Sequence, residues 1–396
     1  MKILLASDSY KYQMSGVATI VISLAERFRK NGHEVKVLAL SNDRNSYKDG
    51  DDYYISSFQA KIYPDARRSF VIKDKYLDEL SEWNPDIIHI HTEFSARRLA
   101  CLVANVNRTP CVMTLHTDYA KYIRPVLLHS RVLTQIVIKS MSAVLYSRAK
   151  VVTTPSEKAK NVSKQYIMFC PVVVVPNGIE LSKFERDFPE EEKAELLEKI
   201  GVPNEGKVLV AVSRISREKH LDKLIDYMPT VLERDKDVKL IIVGDGPDLD
   251  NLKSLSEALG LSGSVFFTGR VASDVVYKYY KLGNAFVCAS DFEMQSLAYM
   301  EAMACGLPLL CYDDESLRGM LDHGKNGFKF TDREEYVNFA MNILGDKQLQ
   351  KSMSAMSSKM AQKYDTQNCA ERMLELYSRV VERHKNKGNS FKSWVE

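Results

Sequence analysis

The sequence predicts two doubly wound α/β domains, each a mostly parallel sheet covered by helices on both faces. Three observations carry that prediction. Short β-branched runs alternate with helical patterns from the first residues, the runs are almost continuously apolar, and the same alternation restarts after a polar, proline-marked interruption. Apolar strands separated by helices are strands buried on both faces, the condition of a parallel sheet. Ligands of such sheets sit outside the carboxyl ends of the strands, so the two domains are expected to face each other across a central cleft.

In the first half the strand runs are "KILLAS" (2–7), "EVKVLAL" (34–40), "DIIHIH" (86–91), "CVMTLH" (111–116), "KVVTTP" (150–155) and "VVVVP" (172–176). Between the first two, "ATIVISLAERFRKNG" (18–32) closes on a glycine, as a helix end does. The acidic stretch 177–207 reads as a linker followed by an entry helix. Strand runs then resume as "VLVAVSR" (208–214), "VKLIIVGDG" (238–246), "SVFFTG" (264–269), "AFVCAS" (285–290) and "PLLCYD" (308–313). The chain closes on a helical pattern, "QNCAERMLELYSRVVERHKNK", and a tail, "GNSFKSWVE". Its 396 residues leave room for two cores.

Composition sets the class. With 45% hydrophobic and 27% charged residues the chain matches a soluble globular protein rather than a disordered one. The longest apolar runs, such as "PVVVVP", fall far short of the ~20 residues a membrane-spanning helix needs. "MKILLAS" is too short for a signal peptide and reads as a buried first strand, so the chain is expected to stay in the cytoplasm. The cysteines (Cys101, Cys111, Cys170, Cys288, Cys305, Cys311 and Cys369) are odd in number and scattered, with no CxxC or Cys/His cluster. Neither a disulfide framework nor a zinc site is expected. Net charge is +3, but residues 101–175 hold ten Lys+Arg against two Asp+Glu, so that span carries +8 and the remainder −5. Such asymmetry points to an anionic partner for that span.

The stretch "DFEMQSLAYMEAMACGLPLL" (291–310) holds two carboxylates, Glu293 and Glu301. Glu293 falls between the strand "AFVCAS" and a helix "SLAYMEAMAC". Glu301 lies inside that helix, which stops at Gly306 and Pro308. At about 100° per residue the two could not share a helix face cleanly. They read as one loop carboxylate and one helix carboxylate with different partners, not as an acid pair flanking a glycosidic bond. Between them the helix N-terminus near Ser296 and Leu297 offers free N–H groups and a positive dipole end, which suits phosphate. Phosphate flanked by carboxylates fits a sugar nucleotide. Spacing alone also allows a solvated loop residue and a surface helix residue.

These twenty residues resemble the E-x7-E signature of the family-four retaining nucleotide-sugar glycosyltransferases, which adopt the GT-B fold of two Rossmann-like domains. "SRISREKHLDKLI" (213–225), "VGDGPDLDNL" (243–252), "FTGRV" (267–271) and "VVPNGIE" (174–180) are similar to further family segments, in order and spacing. The resemblance spans nearly the whole chain and is specific as a combination. It implies that Arg214 and Lys219 hold the donor diphosphate, where a leaving group needs fixed positive charge as its own charge grows. It gives Glu293 to the donor sugar hydroxyls and Glu301 to the ribose. Gly246, Gln295, Ser296 and Leu297 fall among the donor-binding positions. Gly16, in "YQMSGVATI", matches a glycine turn that lets backbone approach the sugar phosphate. His116, in "TLHTDY", matches a histidine that touches the donor sugar near the reacting carbon. The sequence departs from the family at Ser296, where the family has glycine.

The resemblance further implies retention at the anomeric carbon, with the acceptor attacking the face the diphosphate leaves. The departing phosphate oxygen serves as base, and Glu293 positions rather than protonates. No DxD-type motif stands at a strand end, since "DGDD" (49–52) reads as an exposed polar loop. Metal-independent catalysis without a cofactor is therefore expected, with the UDP-sugar as donor substrate. The domains are expected at 1–178, binding the acceptor, and 179–366, binding the nucleotide sugar, with a C-terminal helix at about 367–396 packing back on the first.

Segment 119–150 addresses the acceptor. From 121 to 150 it has six basic residues and no acid, with apolar residues at 133, 137, 141, 144 and 145. It reads as a basic amphipathic helix for an anionic membrane surface, with Lys121, Arg124, Arg131 and Lys139 as its contacts. A core helix with a basic outer face is the other reading. The tail adds cations with Phe391 and Trp394. "HTEFSARRLA" (91–100), "HTDYAKYIRP" (116–125) and "TTPSEKAK" (153–160) also resemble the branch that glycosylates diacylglycerol. The expected protein is a peripheral enzyme on the inner face of the cell membrane. It would move a hexose, glucose from UDP-glucose, to diacylglycerol or another lipid or lipid-linked acceptor, with no nucleic-acid partner. Synthesis of capsule, lipopolysaccharide or other surface glycans is the alternative within the class. A non-catalytic GT-B partner protein and a nucleotide-sugar epimerase are alternatives outside it, and UDP-hexose turnover with and without acceptor separates them.

Overall fold

The structure, a computed structural model, describes residues 1–12, 15–60, 67–127, 130–203 and 206–386, with backbone only at Tyr122 and Pro125. The expected aromatic contacts of Phe391 and Trp394 lie outside the described residues. The chain divides into two compact units, Met1–Gly178 with Thr366–Glu396, and Ile179–Asp365.

In the first unit the strands are β1 (Lys2–Ser7), β2 (Glu34–Leu40), β3 (Tyr47–Asp49), β4 (Asp52–Ile55), β7 (Ile87–Ile90), β8 (Cys111–Thr114), β9 (Ala149–Thr154) and β10 (Val172–Val174). A separate ribbon pairs β5 (Phe58–Gln59) with β6 (Arg67–Arg68). The main sheet runs β10-β9-β8-β7-β1-β2-β4-β3, parallel throughout except for β3. Strand β1 is central, with Ala6 registered against Leu38 of β2 and Ile90 of β7, and strand order reverses there. Leu4, Ala6, Leu38, Ile88 and Ile90 are fully buried, as a sheet covered on both faces requires.

Helix Gly16–Lys30 starts where Ser15 accepts a hydrogen bond from the Ala18 N–H (3.1 Å) and ends with Arg27, Arg29 and Lys30 against its negative pole. It buries Ile20, Val21, Leu24 and Phe28, and Phe28 meets Tyr377 of the closing helix Thr366–Lys385 edge-on at 5.7 Å. All seven cysteines are unpaired. No helix among the described residues is long and apolar enough to cross a membrane.

The second unit contains β11 (Lys207–Val212), β12 (Val238–Val243), β13 (Val265–Phe267), β14 (Ala285–Cys288), β15 (Leu309–Tyr312) and β16 (Gly327–Phe330). Their order, β13-β12-β11-β14-β15-β16, is the doubly wound arrangement that reverses between its first and fourth strands, with every pair parallel. The turns after β11 and β12 pack backbone to backbone. A side chain at Gly244 (φ +139°) would stand 1.9 Å from the Ser213 carbonyl, and one at Gly246 would stand 2.1 Å from that of Ile215. Gly246 is thus required by packing against the loop that carries Arg214.

Three sequence expectations need correction. The "linker" 177–207 buries Leu181, Phe184, Phe188 and Leu197 in the second core, because its apolar residues have a sheet face to cover. In "DGDD", which turns β3 into β4, Asp49, Gly50 and Asp51 are exposed as expected, but Asp52 is buried between Lys11 (2.6 Å) and Arg29 (3.0 Å). Segment 119–150 is two helices, Tyr119–Val126 and Arg131–Leu145, the second begun by Ser130, whose side chain accepts from the Leu133 N–H. That second helix buries Thr134, Ile138 and Ser142 and leaves Leu133 and Val144 of the apolar row exposed. Ser142 Oγ accepts from the Ile167 N–H at 2.8 Å.

Candidate active site

In the second unit the predicted donor residues gather at the reversal of strand order. Arg214 is half-buried two residues after β11, beside Ser213, whose buried hydroxyl has no partner. A short turn of helix, Arg217–Lys219, ends at His220 in the left-handed region (φ 49°). It delivers the Lys219 ammonium to Glu293 Oε1 at 2.6 Å, the carboxylate coming from the loop after β14. Burial lowers the Lys219 pKa, but the charge and hydrogen bond of Glu293 outweigh it and the net shift is upward. The ammonium therefore stays charged.

Helix Leu297–Ala304 begins at Ser296, whose side chain makes no capping bond. Gln295, Ser296 and Leu297 are half-buried at that end. Glu301, further along, accepts a hydrogen bond from Tyr280 Oη at 2.8 Å. Burial raises the Glu301 pKa and the tyrosine bond lowers it, with burial the larger effect. Tyr280 is itself fully buried, so it fixes the Glu301 carboxylate from behind. The structure thus joins Lys219 to Glu293 directly and places Glu301 in the helix that follows.

In the first unit the predicted residues are Gly16, exposed in the first turn of its helix, and half-buried His116, just beyond β8. His116 Nε2 lies 3.2 Å from Nδ1 of His91, beyond β7, the rings nearly parallel. Burial pushes the His116 pKa down to about 4, and His91 well below its usual value. Beneath them both nitrogens of His89 are engaged, Nδ1 by Tyr377 Oη (2.5 Å) and Nε2 by Thr114 Oγ1 (2.6 Å).

Sequence reasoning missed the neighbours. Asp8, after β1, holds the Ala96 N–H on Oδ1 (2.7 Å) while Oδ2 is buried and unpartnered. Glu93 is 3% exposed and accepts from Tyr119 and from Tyr146 (2.9 Å). These tyrosines begin the first basic helix and end the second, so one carboxyl ties both helices to the end of β7. Arg97 donates to the carbonyls of Val144 and Leu145 at the end of the second helix. The available signal was "HIHTE" itself, polar residues continuing a strand toward the end where ligands sit.

Of the four cations assigned to the membrane, Lys121, Arg131 and Lys139 are exposed and Arg124 is half-buried. Beside them Val126 (79% exposed), Val132 (70%), Leu133 and Ile136 stand open to solvent.

Comparison with known proteins accounts for this arrangement. Residues 14–183 match the family described as Glycosyltransferase Family 4, and residues 192–360 the family described as Glycosyl transferases group 1. An alpha-monoglucosyldiacylglycerol synthase of Streptococcus pneumoniae is 33% identical over 81% of this chain and 73% of its own length. The chain belongs to the GT-B glycosyltransferases. A second protein of the same name, from Acholeplasma laidlawii, is 27% identical to this glycosyltransferase over 98% of the chain and 100% of its own length. A phosphatidyl-myo-inositol mannosyltransferase of Mycolicibacterium smegmatis is 27% identical over 92% and 90%. Among solved structures, Anabaena HepE in complex with UDP-glucose superimposes with a TM-score of 0.74 at 20% identity, covering 96% of this chain and 100% of that one. The family and fold expected from the E-x7-E stretch are borne out.

Proposed function

We propose that this glycosyltransferase moves a hexose, glucose from UDP-glucose, to diacylglycerol or a closely related membrane lipid, with retention at the anomeric carbon. The observation that carries the acceptor is the full-length similarity to an alpha-monoglucosyldiacylglycerol synthase, 98% of this chain against 100% of the relative. Three features of the first unit support it: the exposed cations, the apolar residues between them, and the ties from Glu93 and Arg97 that hold both helices in place. Cations beside exposed apolar side chains suit a surface of anionic headgroups over acyl chains. The enzyme would then work as a peripheral protein on the inner face of the membrane.

In this reading Lys219, Arg214 and the helix end at Ser296 neutralise the leaving diphosphate in place of a metal ion, a task for fixed charge and oriented N–H groups. Glu293 holds sugar hydroxyls, Glu301 the ribose and Gly246 the turn that carries Arg214, while Gly16 and His116 serve the donor from the first unit. A diphosphate oxygen takes the acceptor proton as the bond to the anomeric carbon breaks, so no side chain becomes a nucleophile.

The test is turnover of UDP-glucose by the purified chain with diacylglycerol vesicles, with and without anionic lipid. Transfer is expected to need the lipid acceptor, to rise with anionic lipid and to fall with salt. Product formed without an acceptor would instead indicate epimerisation. Absence of both turnover and UDP binding would favour a non-catalytic partner protein. Lys219→Ala is expected to weaken UDP binding by about 10- to 100-fold, the worth of one hydrogen bond to a charged group. An unchanged affinity by calorimetry would remove Lys219 from the diphosphate.

A further inference from the structure

His91 and His116 meet nitrogen to nitrogen at 3.2 Å. Both are held neutral by burial, and a neutral imidazole has one N–H and one lone pair. One ring must therefore donate to the other, which leaves two arrangements. If His116 donates from Nε2, the His91 proton sits on its own Nε2. That atom is buried and has no partner, because the ring beside it, His89 at 3.9 Å, already gives both nitrogens to Tyr377 and Thr114. A donor N–H would be stranded. If His91 donates from Nδ1, its Nε2 is only a bare acceptor and the proton of His116 lies on Nδ1. Buried N–H groups without partners are rarer in proteins than under-satisfied acceptors, so the second arrangement is favoured.

We infer that His91 is a positioning residue that fixes the proton of His116 on Nδ1, so that His116 meets the donor sugar as a hydrogen-bond donor. This rests on the proposed reading that His116 contacts that sugar. A ring in this tautomer gives an N–H to a sugar oxygen and holds no free lone pair for the acceptor proton. That agrees with a diphosphate oxygen acting as base. His91 does its work from a position 1% exposed, without touching substrate.

Nitrogen NMR of the whole chain with labelled histidine rings reads the tautomer directly. Nδ1 of His116 is expected to be the protonated type and Nε2 the bare type, with the same pattern in His91. A bare Nδ1 on His116 overturns the proposal. In turnover of UDP-glucose with lipid vesicles, His91→Leu is expected to lower kcat about 100-fold, the scale of a misplaced reacting group, with little change in KM for UDP-glucose. His91→Asn, which restores a hydrogen-bonding group near the same place, should recover most of that loss. An unchanged kcat in His91→Leu, or equal losses in both variants, overturns the proposal. His116→Ala separates the layers. If it loses transfer while His91→Leu does not, the donor reading of His116 stands and only the role of His91 falls. If His116→Ala transfers normally, both fall. Should His91→Leu fail to fold, the NMR of the unaltered chain decides alone.

Discussion

Replacing Glu293 by alanine is expected to lower transfer by roughly 100-fold or more while the second unit stays folded. The proposed role gives its carboxylate two hydrogen bonds to sugar hydroxyls, each worth about 1.5–3 kcal/mol when one partner is charged. About 3 kcal/mol is already a factor of 100 in rate. The substitution also strips Lys219 of its partner. Burial is the largest influence on that ammonium and lowers its pKa; Glu293 is the largest of the influences that raise it. Without Glu293 the sign of the Lys219 shift should therefore reverse, and diphosphate binding should weaken as pH rises. Glu293→Gln keeps an acceptor 2.6 Å from Lys219 but not the charge, and should fall between alanine and the unaltered enzyme. Initial rates with UDP-glucose and calorimetry with UDP check both statements. Near-normal transfer by Glu293→Ala would end its assignment as a donor contact.

The second large effect lies in the first unit. Burial pushes the Glu93 carboxyl up to about 7 against an ordinary 4.5, the bonds from Tyr119 and Tyr146 offsetting only part of it. A carboxyl with a raised folded pKa binds more protons folded than unfolded. Its contribution to stability is thus complete below about pH 4.5 and is lost as pH rises through about 7. At about 1.36 kcal/mol per pH unit, that gap bounds the loss at about 3 kcal/mol. Glu93→Gln stays neutral at every pH and keeps hydrogen-bonding groups for the two tyrosines. It should match the unaltered protein near pH 5 and exceed it by about 1–3 kcal/mol near pH 8. Chemical denaturation at both pH values measures the difference. A variant less stable at the higher pH would show that Glu93 works as an ionised acceptor instead.

Much of the second unit's site was legible because its parts are local. Glu293, the helix start at Ser296 and Glu301 lie within nine residues, and strand–loop–helix grammar orders them. Lys219 is different. Only the adjacency of β11 and β14 places its ammonium on a loop seventy-four residues away. The basic helices were legible in composition, but not the break at Ser130 that makes two of them. Nor was the face the second one buries, Thr134, Ile138 and Ser142, which is set by the chain packed against it, where the Ile167 N–H donates to Ser142. Asp52 was misread for a similar reason, since the cations that neutralise it, Lys11 and Arg29, come from elsewhere in the chain.

By itself the sequence determined the two-domain α/β architecture, the family and the residues proposed for the donor site. Those depend on hydrophobic period, turn chemistry and motif, all of which act over short spans. Tertiary structure decided which polar groups share a proton. His91 with His116, Glu93 with two tyrosines, and Glu301 with Tyr280 are partners set by strand order and burial. Low-dielectric surroundings then fix their charge states, and no run of neighbouring residues encodes that.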